Sequence, residues 1–348
     1  MIKFQIKQMK VSQLKKSIIY KIILTILIIL TTGCKSSVNN TQPIIKTDFY
    51  FDTVISITLY EPDKAYLIDE CFKLCEKYEN LFSKTITDSD ISSINSANGQ
   101  TVKIDKDSFE LLTKGVYYSR LTKGNFDITI GTLSELWNFK NQTIPTDENI
   151  KKSLKNVDYR FIDLQNNTIQ ISNENTMLDV GGIAKGYVAD KLKEYLVEHG
   201  VKNAIIDLGG NVLLIGSKPD NSYFNIGIAK PFAENSDTIA IVRTNDKSIV
   251  TSGNYQRYFY KEDKFYHHIL NPQTGYPVDN ELTSVTIISD KSIDGDALST
   301  SCFVLGIEEG LRLIESIDGI EVIFIDKNNT ITLSSGLSQK NNVIVLNN

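Results

Sequence analysis

Apolar and polar residues alternate from Phe49 to Tyr60 (FYFDTVISITLY), the period of a half-buried strand. From Asp63 the period lengthens. Leu67, Ile68, Cys71, Leu74, Cys75, Tyr78, Leu81 and Phe82 recur at helical spacing, which predicts an amphipathic helix ending at Phe82. A second helix is predicted over Asp105–Gly124, closed by its glycine, and a third over Gly182–Glu198, entered through a Gly-Gly turn. Asn203–Gly216 (NAIIDLGGNVLLIG) reads as two strands joined at Gly209-Gly210. Further strands are predicted at Phe224–Ala229, Thr238–Thr244, Ser248–Thr251, Ser284–Ser289, Val322–Asp326 and Thr330–Leu333, with helices at Asp294–Leu305 and Glu308–Ile317. TSGNYQRYF followed by KEDKFYHHIL predicts a β-hairpin turning at Glu262-Asp263. Strands grouped between and after helices, without strict alternation, predict an α+β fold of mixed or antiparallel sheets with packed helices.

The N-terminus follows another pattern. Lys3, Lys7, Lys10, Lys15, Lys16 and Lys21, with no acid, precede the apolar run Ile22–Leu30. That run falls short of the ~20 residues a membrane-spanning helix needs. Basic flank, short apolar core and small residues predict a secretory signal peptide over residues 1–33. The small residues before Cys34 (TTGC) are similar to the lipobox of bacterial lipoproteins, in which the cysteine is lipidated and becomes the first residue. Residues 34–47 are then expected to be the lipidated cysteine and a polar tether, and 48–348 the folded domain. The expected address is the extracytoplasmic face of a bacterial membrane, held there by lipid.

Loss of the leader changes the charge. Six of the 37 basic residues leave with it, so 31 face 42 acidic ones and the net charge falls from −5 to about −11. Such a chain lacks the basic footprint that nucleic acid requires. With Cys34 lipidated, Cys71, Cys75 and Cys302 remain, an odd number that supports no disulfide framework. Cys71 and Cys75 fall on the apolar stripe of the first helix and are expected to be buried there.

Three segments carry candidate chemistry. In LDVGGIAKGYVAD (Leu178–Asp190) an acid, Asp179, precedes a turn at Gly181-Gly182 that lets backbone approach a ligand, and Lys185 supplies a point charge at a helix start suited to phosphate. In GDALSTS, Asp296 and Thr300 are four apart, so a helix points both oxygens from one face, a donor set that suits Mg²⁺. The same residues also fit a helix start capped by Asp294 or Asp296. In HHILNPQTGYP (His267–Pro277) two of the chain's three histidines enter a turn stiffened by Pro272 and Pro277. Strand geometry sends the two rings to opposite faces, so one at most serves a given site.

Taken in order, these segments, together with FDTVISITLY, FSKTITDSDISSIN, GNFDITIGTLSELWNF, IDLGGNVLLIG and TSGNYQRYF, resemble the FAD:protein FMN transferase family, the ApbE flavin transferases. The resemblance covers nearly the whole chain after the leader and implies that family's fold. It also implies a reaction in which FAD, bound with Mg²⁺, gives its FMN half to a threonine or serine hydroxyl of a target protein and releases AMP. The implied acceptors are proteins of membrane electron-transport complexes. By match to the family pattern, Asp296, Thr300 and the Gly182 carbonyl are the implied metal ligands. Asn125, Phe126, Asp127, Asp179, Lys185, His268 and Ile269 line the implied FAD site, with Phe51 and Thr85 at looser flavin-contact positions. His268 is the implied base for the acceptor hydroxyl. The chain departs from the pattern at Ile128, often proline, at Gly295, often alanine, and at Phe51, often methionine. Two other readings fit the same residues: an FAD pyrophosphatase that uses water as acceptor, and a flavin-binding lipoprotein without turnover.

Overall fold

The alternating stretch Phe49–Tyr60 is two strands, not one. Phe51 and Asp52 both take positive φ (55° and 57°), and this turn folds β1 (Ile44–Tyr50) back antiparallel on β2 (Thr53–Leu59). Phe49 is in phase with Ile55, Ile57 and Leu59 along the sequence. The turn reverses that phase, because Phe49 pairs with Val54 across the hairpin. Phe49 is therefore 61% exposed while Ile55, Ile57 and Leu59 are fully buried.

This is a computed structural model that describes residues 42–347 apart from 140 and 234–236. The expected signal peptide and Cys34 lie outside the described residues. The expected tether ends earlier than its predicted boundary at 47, because Ile44 already pairs with Leu59 as the first rung of β1.

Among the described residues, five α-helices follow β2 before the chain returns to the sheet, α1 (Tyr66–Phe82), α2 (Asp90–Ser96), α3 (Lys106–Leu121), α4 (Gly131–Leu136) and α5 (Asp147–Leu154), together with a small separate sheet of strands 102–103, 162–165 and 168–171. Then come α6 (Ala184–Glu198), β3 (Ala204–Leu208), β4 (Asn211–Ile215), β5 (Ser248–Gly253), β6 (Leu282–Ser289), α7 (Ser292–Ile314), β7 (Glu321–Asp326) and β8 (Ile331–Leu333). Strands β1 to β8 lie side by side in chain order as one eight-stranded sheet, and each neighbour is antiparallel. The two helices predicted at the end of the domain form α7 with a break at Gly306 (φ 77°), close to the predicted gap.

Both faces of the sheet are covered. Leu213, Ile287, Val322 and Phe324 join the helices in the larger core. Their sequence neighbours Leu214, Ile288, Ile323 and Ile325 point the other way, onto a four-stranded sheet formed by 224–229, 238–244, 337–340 and 343–346. Burial on both sides explains why β6 is buried at every position, its Thr and Ser residues included. Cys71, Cys75 and Cys302 are buried free thiols, the first two as their place on the apolar stripe predicts.

A third, smaller cluster of Leu133, Trp137, Ile150 and Leu270 supports the histidine loop. Trp137 Nε1–H donates to the Gly275 carbonyl at 2.8 Å, which pins the turn of that loop to α4. Above it stands the predicted hairpin, with strands Tyr258–Lys261 and Lys264–His267 and the turn at Glu262-Asp263 (φ 50° and 60°). Antiparallel and mixed sheets, with helices packed on one side of the largest, make this an α+β fold, as predicted.

Candidate active site

The centre of the site is the start of α6. No side chain caps that helix from its own N-cap, Ile183. Instead the Gly186 amide donates to Asp296 Oδ2 of α7 at 2.9 Å, so a carboxylate sits against the positive end of the helix. Gly186 is there because nothing larger fits. A Cβ at that position would lie 2.5 Å from the Ser292 carbonyl oxygen and 2.8 Å from Asp296 Cβ. The other Asp296 oxygen, Oδ1, lies 3.8 Å from Lys185 Nζ.

One turn along α7, Thr300 shares a face with Asp296 as its spacing predicts. Its Oγ1 is 3.3 Å from Ser252 Oγ on β5, and Ser252 Oγ is 2.8 Å from Ser299 Oγ. Gly182 closes the group from the other side. A Cβ built on it would lie 3.8 Å from Thr300 Oγ1 and 3.1 Å from Phe126 Cε2. The fold therefore brings Phe126, Gly182, Lys185, Asp296 and Thr300 together from three separate stretches of sequence. The donors offered by Asp296, Thr300 and the Gly182 carbonyl are all oxygens, which fits a hard divalent cation such as Mg²⁺. Among the described residues no cluster of three or more His, Cys, Asp or Glu offers a rival metal site.

Asp179 is held from three directions. Lys84 Nζ and Ser134 Oγ each donate to its Oδ2 at 2.7 Å, and the Gly181 amide donates to Oδ1 at 2.9 Å. Burial by itself would raise its pKa. The Lys84 ammonium and the hydrogen bonds outweigh burial and hold the carboxyl below the ordinary carboxylate range. An ionised Asp179 thus ties the glycine turn to α4 and to the loop after α1. Lys84 and Ser134 were not singled out by the sequence, since their partner lies 95 and 45 residues away and no local pattern signals the pairing.

The NFD segment divides in its roles. Phe126 faces Gly182, and Asn125 Nδ2 donates to the Thr122 carbonyl at 2.8 Å. Asp127 is buried and spoken for by protein: its Oδ1 accepts from Thr129 N–H and Oγ1–H, and its Oδ2 from the Tyr159 amide at 2.9 Å. Burial pushes its pKa up against those bonds. Asp127 fixes the loop that presents Phe126. Phe51 and Thr85 connect to the site through the end of α1. The Phe51 amide donates to Glu79 Oε1 at 2.6 Å, and Thr85 Oγ1 lies 3.0 Å from Ser83 Oγ, beside Lys84.

The two histidines part as strand geometry requires. His267 is buried, with Nε2–H donating to the Val278 carbonyl at 2.8 Å and Nδ1 accepting the Ile269 amide at 3.3 Å. Burial holds its pKa low, and both nitrogens are occupied, so it supports the loop. Ile269 is likewise packed into the core. His268 is half-buried, with Nδ1 3.3 Å from the Arg257 carbonyl oxygen, and among the described residues its Nε2 has no hydrogen-bond partner. Burial, then the neighbouring Arg257, His267 and Lys185 side chains, push its pKa down to about 4. It is neutral near pH 7 and keeps a lone pair for a proton.

The ApbE family model matches residues 51–324. A Klebsiella pneumoniae protein named FAD:protein FMN transferase is 37% identical over 286 residues, covering 81% of this chain and 88% of its own length. Its namesake in Treponema pallidum is 31% identical over 295 residues, with 80% and 82% covered. Among solved structures, the apbe protein of Thermotoga maritima matches with a TM-score of 0.78 at 29% identity, over 84% of this chain and 97% of that one. The flavin transferase ApbE of Vibrio cholerae matches with a TM-score of 0.76 at 26% identity and the same coverage.

Proposed function

The chain belongs to the ApbE family, and from that premise we propose that it is an FAD:protein FMN transferase acting at the site built around Gly182, His268 and Asp296. The observation that carries this reading is the meeting of Asp296, Thr300 and Gly182 at the start of α6, with Lys185 beside them. A pyrophosphate brings negative charge that must be neutralised while a P–O bond breaks. A helix start with Lys185 supplies part of that neutralisation. Asp296, Thr300 and the Gly182 carbonyl would hold a Mg²⁺ ion, which supplies the rest as a Lewis acid when bound.

The reaction moves one group. The acceptor hydroxyl oxygen attacks the FMN-side phosphorus of FAD and forms a phosphoester. The bond from that phosphorus to the AMP phosphate oxygen breaks, and AMP leaves with the electron pair. The hydroxyl proton passes to His268 Nε2, whose lone pair faces no protein donor. Asp179, clamped by Lys84 and Ser134, holds the glycine turn in place so that the pyrophosphate meets a fixed set of amides and oxygens.

The acceptor is a threonine or serine of a protein in a membrane electron-transport complex, reached from the outer face of the membrane. Lipid on Cys34 holds the enzyme at that surface and raises encounter frequency without new contacts. Cys34→Ala should therefore free the protein from membranes and leave catalysis in solution unchanged.

The test is to incubate the mature protein with FAD, Mg²⁺ and solubilised membrane proteins of the source cell. Flavin fluorescence on denatured polypeptides, a mass gain of one FMN and release of AMP are expected. All three should vanish in Asp296→Ala and His268→Ala. AMP and free FMN with no labelled polypeptide would point to water as acceptor, and bound FAD with no AMP would leave only a flavin-binding protein.

A further inference from the structure

Arg257 and His268 close the open end of the 258–267 hairpin. Arg257 precedes its first strand and His268 follows its last, and the His268 amide donates to the Arg257 carbonyl at 3.1 Å. His268 Nδ1 lies 3.3 Å from the same oxygen, so Nδ1 carries the proton and Nε2 the lone pair. Arg257 is exposed, and among the described residues no carboxylate forms an ion pair with it.

Arg257 stands opposite His268, one rung beyond the Tyr258–His267 pair, so the two side chains leave the same face of the hairpin. Arg257 and, from α6, Lys185 both act to lower the His268 pKa. Two cations beside a proton acceptor weaken it, which is a poor arrangement for a base unless an anion enters between them. Lys185 already leans toward Asp296 at 3.8 Å, on the side where the oxygen donors converge. Arg257 has no such partner.

Resting on the transferase reading, we propose that the Arg257 guanidinium is a further catalytic group, which grips the non-bridging oxygens of the transferring FMN phosphate opposite His268. A planar fork of N–H donors suits phosphate oxygens better than a lysine does. The grip has a second effect. The pyrophosphate carries two negative charges and neutralises Arg257 and Lys185, so His268 gains basicity when FAD is bound. The base is then weak in the free enzyme and competent in the loaded one. Proton transfer is tied to occupancy of the phosphate site.

Two readouts test this, one of them independent of turnover. With ring-labelled histidine, NMR titration follows His268 in the wild type, in Arg257→Gln and in Arg257→Lys, without Mg²⁺, before and after addition of FAD. His268→Gln assigns the signal. FAD should raise the wild-type His268 pKa by about one to three units. Arg257→Gln should start higher and respond less to FAD, while Arg257→Lys should stay near the wild type.

The second readout is the rate of FMN transfer to the acceptor found by the labelling experiment above. Arg257→Gln should slow transfer by about 100-fold, with partial rescue by Arg257→Lys. Its circular dichroism should stay unchanged, because the side chain is exposed. A wild-type transfer rate in Arg257→Gln, or a His268 titration indifferent to FAD, would overturn the proposal. If the wild type itself bound FAD without transferring FMN, the transferase reading would fall, and that result is separable from any effect of Arg257.

Discussion

Asp190 and Asp296 stand on two packed helices, and each accepts hydrogen bonds from the first turn of the other's helix. Asp190, on α6, takes the Ser292 and Ile293 amides of α7 at 2.7 and 3.0 Å. Asp296, on α7, takes the Gly186 amide of α6 at 2.9 Å. Neither helix carries a side-chain cap from its own N-cap residue, so the caps are exchanged. The exchange sets where α6 begins relative to α7, and with it the distance between Gly182 and Thr300.

The two carboxylates are expected to separate under mutation. Asp190→Ala and Asp296→Ala should each lower stability by about 1–3 kcal/mol, because each strands buried amides. Only Asp296→Ala should also abolish the stabilisation that Mg²⁺ gives through binding the folded state. Thermal melts with and without Mg²⁺ decide this. A Mg²⁺ response that survives in Asp296→Ala would remove that residue from the metal site.

Gly186→Ala tests the close approach itself. The added methyl meets the Ser292 carbonyl, Ile293 Cα and Asp296 Cβ within 2.8 Å, and all three belong to α7. Relief requires the helices to part, at a cost of about 1–3 kcal/mol or more. We expect a lower denaturation midpoint in urea together with a loss of transfer activity larger than the loss of stability explains.

Lys84→Met should act on the glycine turn. It removes the charge that keeps Asp179 ionised and leaves Ser134 and the Gly181 amide as the remaining partners. Charge-assisted hydrogen bonds of this kind contribute about 1.5–3 kcal/mol. FAD affinity, measured by flavin fluorescence, should weaken by about tenfold or more. Lys84→Arg should retain most of it, and equal losses in both variants would argue against a role through charge.

Acid should destabilise the protein through its histidines. Both His267 and His268 have folded pKa values below the ordinary histidine range, His268 at about 4. Between that value and the unfolded one the denatured chain binds more protons than the folded one, so stability falls as pH drops from about 6.5 toward 4. Asp190, pushed up to about 6 by burial, works the other way over the same range, so the histidine effect is read as a difference: between pH 7 and pH 5 the acid loss in denaturant melts should be smaller in His268→Gln than in the wild type. An equal pH dependence in the variant would place the effect in other groups.

Much of the fold was legible because its cause is local. The stripe from Leu67 to Phe82, the glycine that closes the helix after Leu121, and the Glu262-Asp263 turn each follow from periodicity or turn chemistry within a few residues. The failure at Phe49–Tyr60 has an equally definite cause. Alternation looks the same in a long strand as in two strands joined by a turn whose residues continue the pattern, and only pairing with a partner strand tells them apart. The short helices α2, α4 and α5 were missed because none is long enough to show a helical period.

For the site, the sequence by itself determined the chemical inventory: Asp296 and Thr300 one helical turn apart, a glycine pair before a helix with Lys185, and adjacent histidines that a strand must send to opposite sides. Those follow from fixed backbone geometry, so they hold whatever the rest of the chain does. Tertiary structure alone decided which histidine is free, that Asp127 serves the loop while Asp179 is clamped by Lys84 and Ser134, and that Asp296 caps a helix that begins 112 residues earlier, at Ala184. Each of these depends on a partner distant in sequence. Hydrogen bonds and charges act over a few ångströms, and only the folded chain brings those partners within reach.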